Sequence, residues 1–186
     1  MEEADLAHFH SIPWCSALLK DPNIVITPTF SRQPKPNTED SLLALTLRSP
    51  TTIPRCLSFH PKPTPSSPSI ASVCTLFTLG PDLNGGPRVL HGGMIATLMD
   101  DVMGTLLTIK KDGDAMPLSG VAVTGTLNVR YLRRIPTPGT VLVVARVQEV
   151  RGRKYDMAAE VMGGEGEVFA RAESLWIRRK GGAEKL

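Results

Sequence analysis

The sequence predicts an α+β domain: one long buried helix laid on an antiparallel sheet of about five or six strands, preceded by a proline-rich extension. Three observations carry this. Apolar pairs recur every four residues at Met94/Ile95, Leu98/Met99, Val102/Met103 and Leu106/Leu107, a helical spacing with a broad apolar arc. The segments before and after that helix have the β-branched, alternating pattern of strands, and no strand–helix alternation supports a parallel doubly wound sheet. Eleven of the 16 prolines fall before position 70, and each removes a backbone donor and fixes φ.

The elements follow in chain order. Asp5 to Lys20 contains Leu6, Phe9, Ile12, Trp14, Leu18 and Leu19, enough for one or two short helices that pack on the main domain. The prolines predict that 27–68 forms no long helix or central strand. Within that stretch Leu42 to Leu47 is expected to pair as a short edge strand, and His60 to Ser69 to run as an extended connector. Ser69 to Leu79 reads as a strand, and 80–93 is turn-rich, with Asn84-Gly85-Gly86-Pro87 and Gly92-Gly93. The helix is expected over Met94 to Ile109, with Lys110 and Lys111 at the end that favours cations and Asp112-Gly113-Asp114 closing it. Three or four strands follow, over Leu118 to Tyr131, Thr140 to Val150, Lys154 to Met162 and Glu167 to Ile177. The last two flank the hairpin turn Gly163-Gly164-Glu165-Gly166. The chain thus divides into an extension (1–68), a main domain (69–180) and a tail (181–186).

Composition narrows the function classes. The 186 residues are 41% hydrophobic and 21% charged, which predicts a packed core. A formal charge of +3 is too small to predict nucleic-acid binding. Cys15, Cys56 and Cys74 fit neither a disulfide framework nor a CxxC metal site, so reduced thiols, no metal and a cytoplasmic protein are expected. The start, MEEADLAHFH, has no apolar leader core, and no stretch approaches ~18 uninterrupted apolar residues, so neither a leader nor a membrane span is expected.

The chemistry concentrates in LNGGPRVLHGGMIATLMDDVMG, Leu83 to Gly104. Adjacent helical residues stand ~100° apart, so only one of Asp100 and Asp101 can follow the inner apolar face. A buried carboxylate without a partner costs several kcal/mol or gives up its charge. Burial alone leaves a structural hydrogen bond and a functional base equally open. Gly92 and Gly93 after His91 let the backbone approach a ligand closely, and free N–H groups at a helix start face an anion or a developing oxyanion. A carboxylate two turns further, ~12 Å along the axis, supplies a second part for acyl transfer.

HGGMIATLMD resembles the helix-opening signature of hotdog-fold acyl-CoA thioesterases of the PaaI type, in which His-Gly-Gly is followed by an Asp nine positions after the His; that offset lands on Asp100. VAVTGTLNVRYLRRIPTPGT looks like the family's next strand, and the likeness runs from about Ser69 to Arg178. It implies a hotdog fold and hydrolysis of an acyl-CoA thioester, with CoA as part of the substrate and no other cofactor. Asp100 would be the general base or nucleophile, and the Gly92 N–H would polarise the thioester carbonyl. Thr124 would orient water or Asp100 from the opposite subunit, with Thr126, two residues along the same strand, as its substitute. His91, Asn84, Gly93 and Tyr131 would help position the thioester. Arg130 and the basic hairpin Arg151-Gly152-Arg153-Lys154 would hold CoA phosphates, as Arg pairs well with phosphate. Sites of this family lie between subunits, which implies a dimer or tetramer.

Two other functions are weighed. A non-catalytic acyl- or CoA-binding accessory would be expected to lack the base, yet Asp100 and Thr124 are both present. A hotdog hydratase would need a His inside the central helix, and there is none.

Overall fold

The computed structural model describes residues 2–66, 68–113 and 122–179. In chain order the elements are α1 (Glu2–His10), α2 (Pro13–Leu19), β1 (Ile24–Thr27), β2 (Arg55–Pro61), β3 (Ser72–Leu79), β4 (Asn84–Gly86), β5 (Val89–Leu90), α3 (Gly92–Gly113), β6 (Ala122–Tyr131), β7 (Gly139–Arg151), β8 (Lys154–Met162) and β9 (Val168–Arg178). Seven strands form one antiparallel sheet in the order β1-β2-β3-β7-β8-β9-β6, and β4-β5 is a separate small hairpin. A single long helix on one antiparallel sheet is the predicted layer architecture.

The two faces of the sheet are read directly from alternation. Val73, Phe77 and Leu79 of β3, Val141, Val143 and Ala145 of β7, and Met157, Ala159 and Val161 of β8 join Leu98, Met99, Val102, Met103 and Leu106 of α3 in the main core. Their neighbours of opposite parity, Leu76 and Leu142, join Leu57 and Phe59 of β2 in a second core under α1 and α2, closed by Phe9, Cys15 and Leu19. Successive strand side chains point to opposite faces, so one sheet supports both layers. The helix is therefore apolar because it is internal. Its window Gly92–Ile109 is long and apolar enough to cross a membrane by length and composition, but half of it is buried in this core.

Several expectations need correction. The sheet has seven strands because the extension supplies β1 and β2, so the 68/69 boundary does not separate two structural units. Proline did not exclude a central strand: β2 pairs with β1 on one side and β3 on the other, and its prolines, Pro54 and Pro61, stand just before it and at its end, where no ladder bond is interrupted. Leu42 to Leu47 is not a strand; Leu42–Thr46 form a π-helical turn. The connector after β2 begins later than expected, since His60 and Pro61 belong to the strand. α3 begins two residues earlier, at Gly92.

Candidate active site

The start of α3 is assembled from the hairpin β4–β5 and the segment after β6. The Leu90 N–H donates to the Ile135 carbonyl (3.0 Å) and the His91 N–H to the Leu83 carbonyl (2.9 Å). Asn84 accepts a hydrogen bond from the Thr137 hydroxyl, so its carboxamide oxygen holds the hairpin in place. Gly85 is needed for space: a Cβ there would lie 2.9 Å from the His91 ring.

His91 then caps the helix. Its Nδ1 accepts the Gly93 N–H at 2.9 Å, which places the ring proton of the neutral form on Nε2. The Met94 and Ile95 N–H groups both donate to the His91 carbonyl (2.9 and 3.2 Å). Of the first four N–H groups that a helix leaves without an intrahelical partner, only that of Gly92 has no acceptor among the described residues. The cap thus singles out one donor. Tyr131 lies against it, its hydroxyl donating to the Gly92 carbonyl (3.2 Å).

Asp100 is half-buried two turns along α3, and the Thr124 hydroxyl donates to its Oδ1 at 2.7 Å. Burial pushes the carboxyl above its ordinary value, and the Thr124 hydrogen bond partly offsets this. Asp101, one position on, is directed to the extension, where the Ser31 hydroxyl donates to its Oδ2 at 3.1 Å. Burial pushes Asp101 up to about 7, with Ser31 opposing the shift and the nearby Asp40 and Asp100 carboxylates adding to it. Each carboxylate of the pair thus has one hydroxyl partner, Thr124 for Asp100 and Ser31 for Asp101.

The Asp101 shift has a stability consequence. Its folded value lies above its unfolded value of 3.8, so the folded state binds the proton more tightly. The contribution is fully present below pH ~4 and is lost as pH rises through about 7, by at most ~4 kcal/mol. Asp101→Asn, which can still accept from Ser31, should match the parent's Tm at pH 4 and exceed it at pH 8. Thermal melts across that range check this; a gap that does not change with pH would contradict it.

The two threonines of β6 part company. A bulge at Gly125 sets Thr124 opposite Trp176 but Thr126 opposite Leu175. Neighbouring residues of β9 face opposite ways, so Thr126 points away from α3 and is not a substitute for Thr124; the bulge re-aims the strand. By the same register Arg130, opposite Arg171, lies on the outer face, and Tyr131, opposite Ala170, on the inner. The contact between Thr124 and Asp100 is made within one chain, not across subunits, because β6 is the next strand after α3 and its start lies beside that helix.

Among the described residues, Gly92 and Asp100 line different clefts. Gly92 lies with His91, Tyr131, Arg133 and Arg134 in two shallow clefts. Asp100 and Asp101 line a separate cleft of about 440 Å³ whose other wall comes from the extension. Of the basic hairpin, Arg151 is paired with Asp156 and with Glu149 (3.6 Å), Arg153 donates to the Arg178 carbonyl (3.2 Å), and Gly152 takes φ +61° at its turn; Lys154 opens β8 beside them. Among the described residues no group of three or more His, Cys, Asp or Glu side chains could hold a metal ion. Sequence reasoning missed Ser31, Phe30 and Arg32 altogether. The one signal was the second carboxylate, Asp101, which had to find a partner.

Residues 88–170 match the family described as the thioesterase superfamily. Acyl-coenzyme A thioesterase THEM4 of Mus musculus is 32% identical over 105 residues, 56% of this chain and 42% of that protein, so the match spans less than half the length of that relative. Among solved structures, the E. coli PaaI protein of the phenylacetic acid degradation operon superposes with a TM-score of 0.52 at 16% identity, covering 59% of this chain and 74% of PaaI. A hypothetical thioesterase from Streptococcus pneumoniae TIGR4, solved with coenzyme A, gives 0.51 at 16% identity over 59% and 79%. These structures share the fold.

Proposed function

We propose that this chain, a hotdog-fold protein whose residues 88–170 match the thioesterase superfamily, hydrolyses acyl-CoA to free acid and CoA at a site completed by a second copy of itself. The observation that carries this is the pair of prepared groups on α3: a half-buried carboxylate oriented by Thr124, and a helix start with one N–H that has no acceptor among the described residues. Asp100 accepts a proton from water, the hydroxide attacks the thioester carbon, the C–S bond breaks, and the thiolate leaves and is protonated. The Gly92 N–H faces the carbonyl oxygen as charge develops there.

The two groups must come from different chains. Eight residues of helix separate them by ~12 Å, and they line different clefts. The edge strand β6 supports this arrangement: it pairs with β9 on one side only, and Val123, Tyr131 and Leu132 beside its open edge are 44, 54 and 45% exposed. Pairing two such edges would satisfy the backbone groups and cover these side chains, bringing Gly92 of one protomer to Asp100 and Thr124 of its partner. Arg133 and Arg134, beside Gly92, are then placed for CoA phosphates better than Arg151, whose charge is already matched.

A thiol-release assay across short-, medium- and long-chain acyl-CoAs tests the activity. CoA release above the uncatalysed rate is expected; tight binding of every thioester without release would make this an acyl-CoA-binding protein instead.

A further inference from the structure

The cleft at Asp100 has a wall with no part in the hydrolysis just described. Asp100, Gly104 and Thr108 stand at four-residue spacing on α3 and form its floor, a row ~12 Å long. One side is Trp176, which reaches the helix because position 104 is glycine: a Cβ there would lie 3.3 Å from the indole Cη2. The other side is the extension, with Phe30 at its centre and Ser31 bonded to Asp101. That wall is anchored. Buried Arg32 donates to the carbonyls of Leu43 (2.8 Å), Leu47 (3.2 Å) and Ile53 (2.7 Å), which ties the segment to the turn behind it.

Charge decides which half of an acyl-CoA can enter. Asp100, Asp101, Glu39 and Asp40 line the cleft against one ammonium, Lys35, itself paired with Glu39 and Asp40, and even with Asp101 protonated the acids outnumber it. Phosphates meeting that excess of acid would be repelled, whereas Phe30, Leu107, Ala122 and Trp176 offer apolar surface. Only the uncharged end of the substrate suits both.

We propose that this cleft is the acyl subsite, that it takes straight acyl chains of up to about ten carbons, and that Phe30 of the extension and Thr108 of α3 set the limit. This rests on the thioesterase function proposed above. The length follows from the floor: with C–C bonds of about 1.5 Å an extended chain advances roughly 1.3 Å per carbon, so ~12 Å holds about nine beyond the carbonyl.

The test is kcat/KM on straight-chain acyl-CoAs from about four to about sixteen carbons. Thr108→Phe should lower the decanoyl-to-butyryl ratio by about tenfold or more, since even one methylene in an apolar pocket is worth that much. Phe30→Ala should move the preferred length upward. If both variants reduce all chain lengths alike, or leave the profile as it was, the subsite is elsewhere. Binding of the uncharged probe 1-decanol, read from Trp176 fluorescence in a Trp14→Phe background, separates the two proposals. No CoA release from any thioester, with decanol still perturbing Trp176 and Thr108→Phe abolishing that response, sinks the hydrolase and keeps the subsite. Active enzyme with a flat length profile and no decanol response sinks the subsite alone.

Discussion

Asp100→Asn is expected to lower kcat on acyl-CoA roughly 10²–10⁴-fold, the usual worth of a positioned general base, with no loss of stability. The fold should survive because Asn keeps an oxygen that can accept the 2.7 Å hydrogen bond from Thr124, and it removes a carboxylate that burial already penalises. What is lost is the only group at that position able to take a proton. In the parent protein the acid limb of the pH–rate profile should sit above the ordinary Asp value, in the direction burial shifts this carboxyl. The variant should lack that limb. Parallel kinetics and thermal melts check both halves, and full activity in a folded variant would remove Asp100 from the chemistry.

Gly92→Pro is expected to cost roughly 10²–10³-fold in kcat, the range for losing one oxyanion donor. This substitution is unusually clean here. Gly92 is the first residue of α3, where proline is favoured because its missing N–H has no partner in the helix anyway. A Cβ at this position meets only the Tyr131 ring, at an ordinary 3.5 Å. The His91 cap on Gly93 is left alone, so helix content and Tm should hold while the rate falls. A rate within a fewfold of the parent, in a folded variant, would mean that the carbonyl is polarised by another group.

Much of the main domain was legible because burial imposes period. The paired apolar residues of α3 and the alternation of β3, β7 and β8 are direct images of one helix between a sheet and its own polar edge, and Asp100 stood out as a charge on that helix. The extension was less legible for a physical reason. Counting prolines over 27–68 hides the uninterrupted run Arg55-Cys56-Leu57-Ser58-Phe59-His60, whose alternation is blurred because both faces are buried, one toward the main core and Thr29 of the extension and the other under α1 and α2. Leu42–Thr46 has strand-like composition but is held as a turn by contacts with Arg32, far enough along the chain that no local pattern reports it. Thr126 was misplaced by a single inserted residue. Strand parity holds only while the ladder is regular, and Gly125 breaks it. Gly92 and Asp100 were legible as two parts of a site, and so was the ~12 Å of helix between them. Two helical turns are longer than the reach of a carboxylate across one carbonyl, which is what calls for a second chain.

The two inactive variants together give the decisive measurement. Asp100→Asn and Gly92→Pro proteins, each purified, are dissociated, mixed in equal amounts and reassembled, and CoA release is recorded. If each site takes Gly92 from one protomer and Asp100 with Thr124 from the other, half of the randomly formed dimers are mixed and one of their two sites is intact, so activity should return to about a quarter of the parent's. Activity that stays at the level of the separate variants, in a sample shown to contain mixed dimers, would contradict the two-chain site.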